Sequence, residues 1–122
     1  MNEIETLPVQ TAEQLLADPE AVFVDIRDVR ELEREGMIPN ALHAPRGMLE
    51  FWVDPESPYY KPIFGEGKCL ILYCASAWRS ALATELLQRM GVPNVSHLEG
   101  GYSAWKAAQL PTAEKSSKKH SI

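Results

Sequence analysis

Cysteine is scarce in this chain: Cys69 and Cys74 are the only two among 122 residues. Five positions apart, across a strand-to-loop boundary, they make a poor disulfide pair and cannot staple distant parts of a fold. They also lack the CxxC spacing and the second pair that a zinc site needs, so no metal is expected. Free thiols suit a reducing compartment, and the expected location is cytoplasmic. No run of about 18 apolar residues occurs, so no membrane span is expected. The start of the chain, MNEIETLPVQ, has neither a basic n-region nor an apolar h-region and does not read as a signal peptide. A basic excess is absent as well. The formal net charge of −5 gives no whole-chain field for nucleic acid, so a small anionic substrate needs a local positive site. No internal repeat is visible.

What is present is ordinary for one globular domain, with 45% hydrophobic and 24% charged residues. Thr11-Ala12-Glu13-Gln14 has the form of a capping box, predicting a short helix that carries Leu15 and Leu16 before Pro19. Ala21 to Ile26 is a short apolar, β-favouring run that passes into charge at Asp25, Arg27 and Asp28. A second capping box, Asp28-Val29-Arg30-Glu31, opens another helix, and Gly36 is its natural stop. Ile38-Pro39-Asn40 reads as a turn with Asn40 in the left-handed region, and Ala41 to Ala44 as a brief strand. One or two helical turns are expected between Arg46 and Phe51. Prolines and glycines then break every pattern up to Gly67, while Phe51, Trp52, Tyr59, Tyr60 and Phe64 are expected to pin that loop to the body.

The stretch Cys69 to Met90 organises the rest. Leu70-Ile71-Leu72-Tyr73 has the length and composition of a buried parallel strand. From Arg79 the apolar positions Leu82, Ala83, Leu86, Leu87 and Met90 recur at steps of three and four, predicting a helix that ends at Gly91. Cys74 therefore sits between a strand end and a helix start. Unpaired N–H groups, the positive end of the helix dipole and the charge of Arg79 all favour its thiolate there, making it a candidate nucleophile. The plainer alternative is a buried core thiol. Asn94 to Leu98 reads as a further strand, Gly100-Gly101 as a sharp turn, and Tyr102 to Ala108 as a last helix with Trp105 and Ala108 on one face. Residues 1–111 form the domain, and the polar tail from Thr112 to Ile122 is expected to be disordered. Alternating strands and helices predict an α/β fold with a parallel central sheet and helices on both faces. In such sheets ligands gather at the carboxyl ends of the strands, where Cys74 is the only thiol.

Cys74-Ala75-Ser76-Ala77-Trp78-Arg79-Ser80, a cysteine followed after four residues by Arg-Ser, resembles the active-site loop of the rhodanese family. Asp25-Ile26-Arg27 with Gly36-Met37-Ile38-Pro39 resembles its first signature. Leu98-Glu99-Gly100-Gly101-Tyr102 with Trp105 resembles its closing one. The likeness runs from about Val9 to Pro111, and His43 to Phe51 is similar to a subgroup of single-domain bacterial members. The chain departs from the pattern at Met37, where the family commonly has His, and at Asn40 and Ala77, where it commonly has Gly. An alanine held at positive φ in the loop would cost on the order of 1 kcal/mol.

The resemblance implies a rhodanese-like domain and a sulfurtransferase without cofactor. Cys74 would take sulfane sulfur from thiosulfate or a similar donor as a persulfide and pass it to cyanide or a thiol. Backbone N–H groups of Ala75 to Ser80 would hold the anion. Arg79 would order the loop and supply positive charge, with Asp25 a candidate partner, while Arg46 and Trp78 would shape the donor pocket. Asp25 and Arg27 give structural support, and His43 and His97 are read as structural. Two other classes remain in view. Phosphatases and arsenate reductases of the same fold typically place five residues between Cys and Arg, against four here. A rhodanese-like carrier would deliver sulfur to, or merely bind, a protein partner.

Overall fold

In a computed structural model of the chain, the described residues are 5–44, 48–54, 56–61, 63, 68–76, 78–92 and 94–114. Among the described residues five strands and five helices follow one another as β1 (Glu5–Leu7), α1 (Val9–Glu13), β2 (Ala21–Asp25), α2 (Val29–Glu35), β3 (Leu42–His43), α3 (Leu49–Val53), β4 (Cys69–Tyr73), α4 (Trp78–Arg89), β5 (Val95–Leu98) and α5 (Gly101–Ala107). All strand pairs are parallel, in the order β1-β5-β4-β2-β3. The sheet grows one way from β2 to β3 and the other way from β5 to β1. β4 lies between the two halves, at the switch point where such sheets bind ligands.

Because β4 is buried on both faces, its residues read as an unbroken apolar run and divide by the strand period of two. Leu70 and Leu72 point into one core with Val24, Ile26, Leu49, Val53, Ala83 and Leu87, which packs α3 and α4 against the sheet. Ile71 and Tyr73 point into the other, with Phe23, Val9, Ala12, Tyr102 and Trp105, beneath α1 and α5. Helices thus cover both faces, as the alternating pattern requires. Cys74 continues the Leu70–Leu72 alternation and is buried in the α4-side core.

Several local expectations hold. Asp28 accepts from Arg30 N at 2.9 Å while Glu31 Oε2 accepts from Asp28 N at 3.2 Å, closing the capping box of α2. Gly36 ends that helix at φ 83°, and Asn40 takes φ 64°. Others shift. α1 starts at Val9 after Pro8, with no side-chain cap, so Thr11 lies inside the helix and the first capping box does not form. β1 carries no apolar run and is specified by its partner, with Thr6 opposite His97. α3 spans Leu49–Val53, later than the Arg46–Phe51 expectation.

α4 buries Ser80, Ala83, Thr84 and Leu87, whereas Leu82 and Met90 are exposed. Its true inward stripe mixes small polar with apolar residues: Thr84 Oγ1 donates to Ser96 O at 3.5 Å, a contact that a hydrophobic tally passes over. Ala108 is exposed, while Trp105 is fully buried. Phe51 on α3 and Tyr59 in the loop after it are exposed and meet edge-on, so this pair does not pin the segment to the core, whereas Trp52 packs against the α4-side core. Phe64 lies outside the described residues. Beyond Trp105, whose Nε1 donates to Pro111 O at 2.6 Å, Ala113 and Met37 exchange two backbone hydrogen bonds of 2.7 and 2.8 Å. These contacts reach past Thr112, and residues 115–122 of the expected tail lie outside the described residues.

Candidate functional site

Cys74 follows the last residue of β4, and Ser80, in the first turn of α4, donates its N–H to Cys74 Sγ at 3.3 Å. This is the strand-to-helix placement expected for the thiol, with a backbone donor of the helix start directed at sulfur. The other side of the loop is fixed by α5. Tyr102 N donates to Cys74 O at 2.7 Å and Ser103 N to Ala75 O at 3.0 Å. That approach explains the glycine at 101. Its φ is +65°, and a Cβ there would lie 2.5 Å from Cys74 O and 2.8 Å from Ala75 O. A side chain at this position would push the loop off its seat.

Arg79 stands near the thiol but does not pair with Asp25. Its Nη1 and Nη2 donate to Glu31 Oε2 and Oε1 at 3.3 and 3.2 Å, a two-point contact between the starts of α4 and α2. The hydrogen bond to Glu31 raises the Arg79 pKa against the opposing effect of partial burial, and the Cys74 sulfur acts in the same direction. Glu31 is held below its usual range, first by the Arg79 hydrogen bond. Glu31 was legible only as the last member of a capping box; its second oxygen and its place beside the loop are set by the fold.

Asp25 is bound to Arg27 instead. Both side chains are fully buried, with Arg27 Nη2 2.6 Å from Asp25 Oδ2 and Nε 2.9 Å from Oδ1. Nη2 also donates to Gly36 O at 2.7 Å, and the guanidinium lies 4.2 Å from the Tyr102 ring centre. Burial disfavours the Arg27 charge, but the hydrogen bond and the charge of Asp25 outweigh it and raise the pKa. Tyr73, its hydroxyl accepting from Ile38 N at 3.1 Å, is raised chiefly by burial. The pair joins β2, the α2 terminus and α5 through buried contacts.

Trp78 opens α4 and is 74% exposed. Ala75 is partly buried and Ser76 exposed. Arg46 and Ala77 lie outside the described residues. His43 Nε2 is 2.8 Å from Arg27 O. His97 is buried, with Nε2 3.0 Å from Thr6 Oγ1 and Nδ1 3.4 Å from Ser80 Oγ. Among the described residues no group of three or more His, Cys, Asp or Glu is placed to hold a metal, and no helix is long and apolar enough to cross a membrane.

The profile of the Rhodanese-like domain family matches residues 8–108. A protein of Allochromatium vinosum named Sulfurtransferase is 34% identical over 112 residues, covering 91% of this chain and 94% of that protein. An uncharacterized protein of Synechocystis is 36% identical over 109 residues, 89% of this chain; the chain spans only 56% of that relative's length. Among solved structures, a protein of unknown function from Rhodopseudomonas palustris, described as a possible tyrosine phosphatase, is 51% identical. It superposes with a TM-score of 0.87 over 89% of this chain and 84% of that one.

Proposed function

The chain belongs to the rhodanese-like domain family, and from that premise we propose that it is a sulfurtransferase carrying sulfane sulfur on Cys74. The observation that carries this reading is the Cys74 sulfur at the carboxyl end of the central strand, held by the Ser80 amide at 3.3 Å. The Cys74 thiolate attacks the outer sulfur of thiosulfate or a similar donor. The S–S bond of the donor breaks, sulfite leaves with the bonding pair, and Cys74 becomes a persulfide. Cyanide or a thiolate then attacks the outer persulfide sulfur, and the Cys74 thiolate leaves. The two half-reactions share one covalent intermediate, so ping-pong kinetics are expected. The helix-start N–H groups stabilise the sulfur anion at both stages. Arg79, tied to Glu31, keeps positive charge near the loop for an anionic donor; Arg46 and Trp78 are assigned to the donor pocket.

Phosphoryl chemistry, suggested by the description of the Rhodopseudomonas palustris structure, is disfavoured on two grounds. Four residues separate Cys74 from Arg79, and the Arg79 guanidinium is engaged by a carboxylate that a phosphate would have to displace. A protein acceptor in place of cyanide is favoured by one observation, the exposure of Trp78 beside the loop, since exposed tryptophan is a frequent anchor of protein contacts. Two cysteines that form no disulfide suit a reducing, cytoplasmic setting. The test is turnover: thiocyanate formed from thiosulfate and cyanide with ping-pong kinetics, and no hydrolysis of a small aryl phosphate, supports the reading. Phosphate release without thiocyanate formation overturns it.

A further inference from the structure

β1 is a three-residue strand at the sheet edge, yet it reaches the sulfur through a chain of side chains. The register sets Thr6 opposite His97 and His97 opposite Leu72. Partners in parallel strands point to the same face, so all three face α4, in the row just below Cys74. There His97 Nε2 meets Thr6 Oγ1 at 3.0 Å and Nδ1 meets Ser80 Oγ at 3.4 Å. Ser80 is the residue whose amide holds Cys74 Sγ. Burial depresses the His97 pKa, which favours the neutral ring. A neutral imidazole has one donor and one acceptor, so it can satisfy two hydroxyls, each of which gives or takes as required.

We propose that His97 is a positioning residue for the Cys74 sulfur, acting through Ser80, and that strand β1 completes the site by holding the imidazole from behind. His97 fixes the Ser80 side chain, and with it the start of α4. The Ser80 amide then stays directed at sulfur and favours its anionic form. The charged and titratable groups on the elements around the sulfur include Arg79 on α4, Glu31 on α2, the buried Asp25–Arg27 pair at the end of β2, His43 on β3, Lys106 on α5 and Glu99 beyond β5. None of them is altered in the test.

The measurement is the pH profile of Cys74 alkylation by iodoacetamide, followed by intact mass in a Cys69→Ser background. No sulfur donor takes part, so the outcome is independent of the transfer reaction. His97→Leu is expected to move the midpoint up by on the order of half a pH unit, as loss of a modest hydrogen-bond restraint on the anion implies. His97→Asn, which keeps a polar group where Nδ1 stood, restores the midpoint. His97→Gln, which reaches toward Thr6 but offers nothing to Ser80, does not. Should His97→Leu fail to fold, the contrast between Asn and Gln decides. Equal midpoints for Asn and Gln, or a parent-like midpoint for Leu, would overturn the proposal.

Discussion

Arg79 and Glu31 meet through two hydrogen bonds of 3.2 and 3.3 Å, fastening the first turn of α4 to the first turn of α2 across the mouth of the Cys74 loop. Glu31 also closes the cap of its own helix on Asp28 N, so one carboxylate ties a helix start to the loop that carries the thiol.

Glu31→Gln is therefore expected to slow sulfur loading of Cys74 severalfold with little loss of stability. The Arg79 side chain is 41% exposed, so solvent screening holds the pair to no more than about 1 kcal/mol. The folded protein lowers the Glu31 pKa, so its contribution is fully present above the ordinary value of 4.5 and fades as pH falls through the folded value. Urea midpoints at neutral pH and in acid below 4.5 check this: the parent should lose more on acidification than Glu31→Gln. Equal losses would remove Glu31 from the account.

Arg27 behaves differently because it is wholly buried with its partner. Arg27→Ala leaves the Asp25 carboxylate uncompensated in the interior, at a cost of about 3–5 kcal/mol. The same substitution at Arg79 should cost about 1 kcal/mol or less. Chemical denaturation of the two variants gives the ordering directly, and comparable losses would contradict the distinction between strut and surface pair.

Gly101 and Gly91 both have positive φ, 65° and 88°, yet only one is crowded. Gly91→Ala meets nothing within 4 Å, so its cost is the backbone term of about 1 kcal/mol, with loading unchanged. Gly101→Ala drives a methyl into the carbonyls of Cys74 and Ala75 and should abolish loading as well as lower the melting temperature. If Gly101→Ala loads at the parent rate, the loop is not held by α5.

These contrasts mark what could be read from the chain beforehand. The strand before Cys74, the helix after it, the Asp28 cap and the Gly100-Gly101 turn carry strong local signals, and they place the thiol at the right edge of the sheet. β1 went unseen because three residues with two polar side chains hold no period of their own; Thr6 gains meaning only opposite His97. Asp25 looked like a partner for Arg79 because both sit beside the same sheet edge, but a closer and fully buried arginine two residues on takes that carboxylate. The α4 stripe was misaligned for a related reason: Ser80 and Thr84 face inward because sulfur, His97 and a β5 carbonyl offer them partners. Polar burial of that kind is decided by tertiary contacts.

The most direct test is intact-protein mass after incubation with thiosulfate, for the parent, Cys69→Ser and Cys74→Ser. Cys69, partly buried at the opposite end of β4, belongs to the packing. The expected result is a gain of one sulfur, about 32 Da, on the parent and on Cys69→Ser, and none on Cys74→Ser. An adduct that survives Cys74→Ser, or its absence from a folded parent given thiosulfate, would contradict the assignment of Cys74 as the residue that accepts sulfur from this donor.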